Sequence, residues 1–167
     1  ENVDKFKMAI TFLMTTRGMV QWYYGDEILM KNYVSPEDGK VREDFPGGWP
    51  SDGINKFDFP NLNAKEKDFY NYVSALANWR KDAPAISEGK LMQFIPENGV
   101  YVYFRYTDNQ VVMVVMNTGK NNYSLDLKRF AEMTNGKTTA TNVITGISSN
   151  LNSLIVGSME ANVYELK

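Results

Sequence analysis

The chain has 167 residues, 43% of them hydrophobic, which is enough apolar material for a folded core. Its formal net charge is -2, with Lys and Arg scattered, so it offers no basic face of the kind that binds nucleic acid, and no nucleic-acid partner is expected. It contains neither cysteine nor histidine, which excludes disulfides, thiolate metal sites and the commonest general base; any catalysis would rest on carboxylates, lysine, tyrosine or serine.

The first residues, "ENVDKFKMAI", have neither the basic start nor the apolar stretch of a signal peptide, and Glu1 in place of Met suggests a start inside a longer chain, although processing would give the same result. No uninterrupted apolar run reaches the roughly 20 residues that a bilayer requires, so no membrane partner is expected. Phe6, Ala9, Ile10, Leu13 and Met14 recur at spacings of three and four, the stripe of an amphipathic helix that Arg17 and Gly18 would end. "MVQWYYGD" then reads as a short buried strand, with Val20, Trp22 and Tyr24 on one face.

From Tyr33 to Leu62 the composition turns to Pro, Gly and Asp without a sustained period, which predicts a long loop. Its aromatics Phe45, Trp49, Phe57 and Phe59 argue that the loop is ordered. Asn63 can cap a second helix, with Glu66 at the capping-box position, and Phe69, Tyr72, Val73, Leu76 and Trp79 or Arg80 continue its apolar stripe. Asp82 to Pro84 should stop that helix, since proline forces its predecessor out of helical geometry. Beyond Leu91 the texture is that of strands. "VYVYFRYT" and "QVVMVVMN" are joined at Asp108 and Asn109 as a hairpin, "LDLKRFAEM" is a short helical turn, and "TTATNVIT", "LNSLIVG" and "ANVYELK" follow. Such short links predict an antiparallel sandwich or barrel, with a boundary near Gly89.

The loop after the first strand carries Asp26, Glu27, Glu37, Asp38, Glu43, Asp44, Asp52 and Asp58 together with Arg42. Carboxylates and arginine bind sugar hydroxyls in pairs, and flat rings cover the apolar faces of pyranoses, so the composition fits a carbohydrate site. A solvated loop has the same composition, and both readings stand at this level. Asp26 and Glu27 could equally pair with an arginine or cap a turn, and Trp49 could stack on a sugar or anchor its loop. Trp79 and Arg80 read as packing residues. The tyrosines of "NGVYVYFRY" read as core and sheet surface.

The ordered combination of "TTRGMVQWYYGDEILM", "REDFPGGW", "LANWRKDAPAISEGKLMQF", "NGVYVYFR" and "VVMVVMN" closely resembles the C-terminal part of α-amylase family glycoside hydrolases, and within them the neopullulanase and cyclomaltodextrinase branch of bacterial starch-utilisation systems. The resemblance implies an α+β fold class: the last βα unit of a (β/α)8 barrel followed by a C-terminal antiparallel β-sandwich. Residues 1–88 would be the end of the barrel, with a helix over 1–16, the eighth strand over Met19 to Tyr24 and the final helix over Asn63 to Asp82. Residues 89–167 would be the sandwich.

Family members are retaining enzymes, with two carboxyl groups about 5 Å apart. The family carries its nucleophile, acid/base and stabilising Asp on the fourth, fifth and seventh strands, which would all precede Glu1. The resemblance therefore assigns no catalytic residue here, and the absence of histidine agrees with the absence of the Asn-His-Asp motif that ends the seventh strand. It implies substrate contacts from Asp38 and Arg42, four apart as in the branch's donor-side pair although "DGKVR" departs from its usual Asp-Pro pattern. To these is added Trp49 from the loop reading, with Glu27 as a loop-fixing residue. No cofactor and no metal are assigned, and calcium in a parent enzyme is left undetermined. The implied partner is an α-glucan oligosaccharide, bound as part of a parent enzyme in the periplasm or outside the cell. Apolar faces such as Phe12, Trp22 and Phe69 would be bared without the rest of a barrel, which predicts self-association or pairing with that missing portion. The alternative is a noncatalytic carbohydrate-binding or structural sandwich module, presenting Tyr101, Tyr103 or Tyr106 as its platform.

Overall fold

A computed structural model describes residues 2–31, 39 and 42–167, so Asp38 lies outside the described residues. The chain divides into two compact units, one formed by the stretch up to Val20 together with Ser74–Lys167, the other by Gln21–Val73.

The first unit is built on a six-stranded antiparallel sheet in the order β1-β2-β3-β8-β5-β6. Its strands are β1 (Lys90–Gln93), β2 (Val100–Tyr106), β3 (Val111–Asn117), β5 (Thr139–Asn142), β6 (Ser148–Asn150) and β8 (Glu160–Leu166). A second, two-stranded sheet pairs β4 (Tyr123–Ser124) with β7 (Ile155–Val156). The hairpin expected at Asp108 and Asn109 is present: β2 and β3 pair in register from Tyr106 opposite Val111 to Val100 opposite Asn117. The expected helical turn is a 3-10 turn over Leu127–Phe130 that runs on into α4 (Ala131–Thr134).

Alternation along the central strands supplies two buried faces, as it must when both sides of a sheet are covered. Val100, Val102 and Phe104 of β2, Met113 and Val115 of β3, and Tyr164 and Leu166 of β8 enter one core with Leu125, Phe130, Leu151, Leu154 and Val156. The intervening residues Tyr103, Arg105, Val112, Val114 and Val163 are buried as well. Their side of the sheet is packed by helices, α1 (Val3–Thr15) against β8 and α3 (Pro84–Ser87) against β2 and β3.

α1 starts at Asn2, whose Oδ1 accepts from the Lys5 N–H at 3.2 Å. Its buried residues are Met8, Ile10, Thr11, Met14 and Thr15, so the expected stripe is right at Ile10 and Met14 and wrong at Ala9 and Leu13. The two threonines account for the rotation of the face. Thr11 donates to Lys7 O at 2.8 Å and Thr15 to Thr11 O at 2.6 Å, which satisfies hydroxyls that would otherwise be costly to bury. α2 (Ala64–Lys81) begins with the expected capping box: Asn63 Oδ1 accepts from Glu66 N at 3.1 Å while Asn63 N donates to Glu66 Oε2 at 2.8 Å.

Arg105 secures the helices from the sheet. Its guanidinium is buried without a carboxylate partner and donates instead to four carbonyls, of Thr15, Thr16, Ile86 and Gly89, at 2.8 to 3.1 Å. Two of these lie at the C-terminal end of α1, where the helix dipole favours a cation. Arg80 Nε adds a bond to Met14 O at 2.8 Å, and Trp79 Nε1 donates to Glu165 Oε1 at 2.7 Å. The packing role expected of Trp79 and Arg80 thus takes the form of polar ties.

Two expectations are corrected. Residues 19–24 form no strand, and Met19 is fully exposed. A strand is defined by the ladder it joins, and no described residue pairs with this segment. Phe69, expected to be bared, is wholly buried.

Candidate functional site

Gln21–Val73 carries Arg42, Trp49 and Glu27 of the sequence-selected candidates, while the tyrosines of the alternative reading, Tyr101, Tyr103 and Tyr106, lie in the other unit. Among its described residues before α2 the only regular elements are short 3-10 turns, and the side chains there are placed by turns and by hydrogen bonds from side chains to the backbone. Gly25, with φ 86°, opens a 3-10 turn over Asp26–Ile28, and the Met30 N–H closes it on Gly25 O at 2.9 Å. A Cβ on Gly25 would lie 2.6 Å from Met30 Sδ, so this turn requires glycine. Glu27 accepts from Trp22 Nε1 at 3.2 Å. Burial and then the neighbouring Glu27 charge push the Asp26 carboxyl above its usual range.

Tyr23 and Tyr24 stack at 4.6 Å, and Tyr24 OH donates to Glu43 O at 2.8 Å. The Tyr24 phenol is pushed up, first by its hydrogen bond with Tyr23; the Arg42 charge opposes that shift, which puts Arg42 within electrostatic reach of Tyr24. Arg42 itself is exposed.

"FPGGWPSD" forms the best-defined turn of the unit. Asp52 Oδ2 accepts from Gly47 N at 2.9 Å and from Trp49 N at 3.1 Å, while Asp52 N returns a bond to Trp49 O at 3.0 Å. Gly47 and Gly48 have φ of 123° and 99°, and a Cβ on Gly47 would sit 2.9 Å from Asn55 Cα. The glycines thus allow two turns of chain to approach, and the Lys56 N–H bonds Pro46 O across them at 2.7 Å. Trp49 is left 63% exposed on this clamped backbone. Phe57 stacks on Phe45 at 4.4 Å and is itself 66% exposed.

The structure therefore places Arg42, Trp49 and Glu27 in one unit, while the Asp38 partner expected for Arg42 lies outside the described residues. Sequence reasoning missed the Asp52 clamp, although its signal, an Asp three residues after Trp49 in a Gly- and Pro-rich turn, was there to read. It also used Phe57 only as a sign of loop order. Among the described residues no group of three or more acidic side chains could hold a metal ion. Of the tyrosines that the alternative reading names, Tyr103 is not available as a platform: it is wholly buried, shares a hydrogen bond with Thr15 at 2.5 Å and meets Phe12 edge-on, whereas Tyr101, its OH bonded to Gln93, and Tyr106 are half-buried.

Residues 91–165 match the cyclo-malto-dextrinase C-terminal domain. The chain is 27% identical over 127 residues to a cyclomaltodextrin glucanotransferase of Klebsiella oxytoca, covering 76% of this chain and 18% of that protein. It is 26% identical over 168 residues to the corresponding enzyme of Geobacillus stearothermophilus, covering 96% and 21%. The chain is similar to the C-terminal part of α-amylase family enzymes. It matches the C-terminal region of such enzymes and spans about a fifth of the length of these relatives. Solved α-amylase family structures share its fold. AmyP in complex with maltose superimposes with a TM-score of 0.70 at 19% identity, over 98% of this chain and 34% of that one. The α-amylase of Geobacillus thermoleovorans, complexed with acarbose, gives 0.66 at 18% identity, over 100% and 34%.

Proposed function

We propose that this chain is the C-terminal portion of an α-glucan hydrolase of the α-amylase family, of the neopullulanase and cyclomaltodextrinase type, and that it supplies one edge of the glucan-binding cleft rather than the catalytic carboxylates. α1, the segment 19–24 and α2 are its share of the barrel, and residues 89–167 its C-terminal sandwich domain. Arg42 and Trp49, with Asp38, contact glucose units, and Glu27 fixes the turn beneath them through its bond to Trp22. The exposed apolar side chains of unpartnered segments, Phe12 at 44% and Met19 at 100% exposure, are covered by the remainder of a barrel or by a second copy.

The observation that carries this reading is Trp49. A large ring held two-thirds in water on a backbone clamped by Asp52 costs hydrophobic free energy that packing within its own turn does not return. A pyranose face covers such a ring, and the rigid backbone means that little ordering entropy is lost on binding. The noncatalytic module is less well supported, since Tyr103 is spent on packing against α1.

Isothermal titration of the 167-residue chain with maltoheptaose tests the reading, alongside an assay for hydrolysis of starch and pullulan. Binding that Trp49→Ala abolishes and Arg42→Ala weakens, with no hydrolysis, is the expected result. Turnover by the purified chain, or binding indifferent to both substitutions, would overturn it.

A further inference from the structure

We propose that Phe57 is a second sugar-stacking residue of the loop unit, presenting the open side of its ring to another glucose unit of the glucan that Trp49 binds. This rests on the reading of Trp49 given above and extends it to a residue that neither the loop composition nor the family resemblance singled out.

Phe57 combines high exposure with a fixed position. One side of its ring is backed by Phe45 at 4.4 Å between centroids, with the planes 33° apart, yet the residue remains 66% exposed. Its backbone is pinned: Phe57 N donates to Asn55 Oδ1 at 3.1 Å, Asn55 Nδ2 donates to Asp58 Oδ2 at 3.0 Å, and Asn61 Nδ2 donates to Asn55 O at 2.8 Å. A phenylalanine that merely anchored a loop would turn its ring inward. Here the anchoring falls to Phe45, which is half-buried, and Phe57 is the outer member of the pair.

The ring also borders the turn that carries Trp49. A Cβ on Gly48, the residue before Trp49, would sit 3.6 Å from Phe57 Cε2, so the Phe57 ring borders the same turn that Asp52 clamps. Asp52, Asn55 and Asp58, which shape the two turns, supply carboxylate and amide groups next to the rings. Flat apolar faces bordered by hydrogen-bonding groups complement a pyranose, whose ring faces are apolar and whose rim carries hydroxyls.

The test is titration of the full chain with maltoheptaose in four forms: unaltered, Trp49→Ala, Phe57→Leu and Phe57→Tyr. Leucine keeps an apolar contact with Phe45 and removes the flat face; tyrosine keeps the face. An aromatic contact of this kind corresponds to about a threefold to tenfold weakening for Phe57→Leu, with Phe57→Tyr binding as the unaltered chain does. Resonances of the Phe57 ring in the unaltered chain should shift on addition of maltoheptaose, which keeps the inference testable if the leucine variant folds poorly. Unchanged affinity in Phe57→Leu with affinity lost in Trp49→Ala, or an unmoved Phe57 ring under saturating sugar, would overturn the inference and leave the Trp49 reading standing. No binding by the unaltered chain would overturn both.

Discussion

Phe104, Met113 and Val115 in the sheet-bearing unit are completely shielded from water by neighbours drawn from both sheets, whereas the turns around Trp49 are held by Asp52, Asn55 and Lys56 bonding to backbone close by in sequence. The first mode of assembly is cooperative, because each buried side chain depends on many distant residues. The second is local, and a local set of bonds can hold aromatic rings in water without burying them. The glucan contacts proposed above need rings held exposed in this local way, since binding residues are commonly carried on loops.

The largest effect should come from breaking the sheet unit at Arg105, a buried charge without a carboxylate partner. Arg105→Met removes the donors of four carbonyls, of Thr15, Thr16, Ile86 and Gly89, and a shorter Arg105→Lys cannot reach all four. Leaving buried acceptors unpaired costs about 1 to 3 kcal/mol each at most, and because carbonyls partly re-pair we expect a total loss of about 3 kcal/mol in denaturant unfolding. The loss should appear with one transition that includes the α1 amides. If α1 loses hydrogen-exchange protection while β2 and β3 keep theirs, the helix is a separate element and the cooperative picture of this unit fails.

A smaller and confined effect is expected on the other side of the comparison. Asp52→Ala frees the Gly47 and Trp49 N–H groups, a loss of about 1 to 2 kcal/mol for charge-assisted bonds at an exposed site. Limited proteolysis should then cut near Trp49 at an increased rate, while the unfolding midpoint of the sheet unit stays where it was. A drop in that midpoint would mean that the two modes of assembly are not separable in this way.

The same contrast governs what could be read in advance. The β2 and β3 hairpin, the helical turn at Leu127 and the Asn63 and Glu66 capping box were legible because each depends on a period or a spacing only a few residues long. The α1 face was misread because its buried positions include Thr11 and Thr15, whose hydroxyls are satisfied within the helix and therefore tolerate burial that polarity argues against. Residues 19–24 look like a strand because their composition is apolar and aromatic, but pairing is a property of partners, which no composition supplies. β6, with the sequence Ser-Ser-Asn, has no apolar alternation to detect. In the candidate site Trp49 stood out by residue type, while Phe57 was indistinguishable from a core phenylalanine until its exposure was known.

The smallest effect is expected at the ion pair between Lys56 and Glu66, which joins the turn beside Phe57 to the start of α2. Burial alone would raise the Glu66 carboxyl, but its hydrogen bonds from Lys56 and from the Asn63 N–H, with the Lys56 charge, outweigh that and hold it below the ordinary value of 4.5. A carboxyl depressed on folding contributes stability that is present above its unfolded pKa and disappears as pH falls through its folded one. Acidification below about 4.5 should therefore loosen the turn over residues 55–58 before it affects the sheet. Lys56→Met removes the two Lys56 contributions and leaves burial opposed only by Asn63, so an NMR titration should find the Glu66 carboxyl moved upward and the acid sensitivity of the turn reduced. An unmoved Glu66 titration would mean that the α2 cap, rather than the lysine, sets its charge.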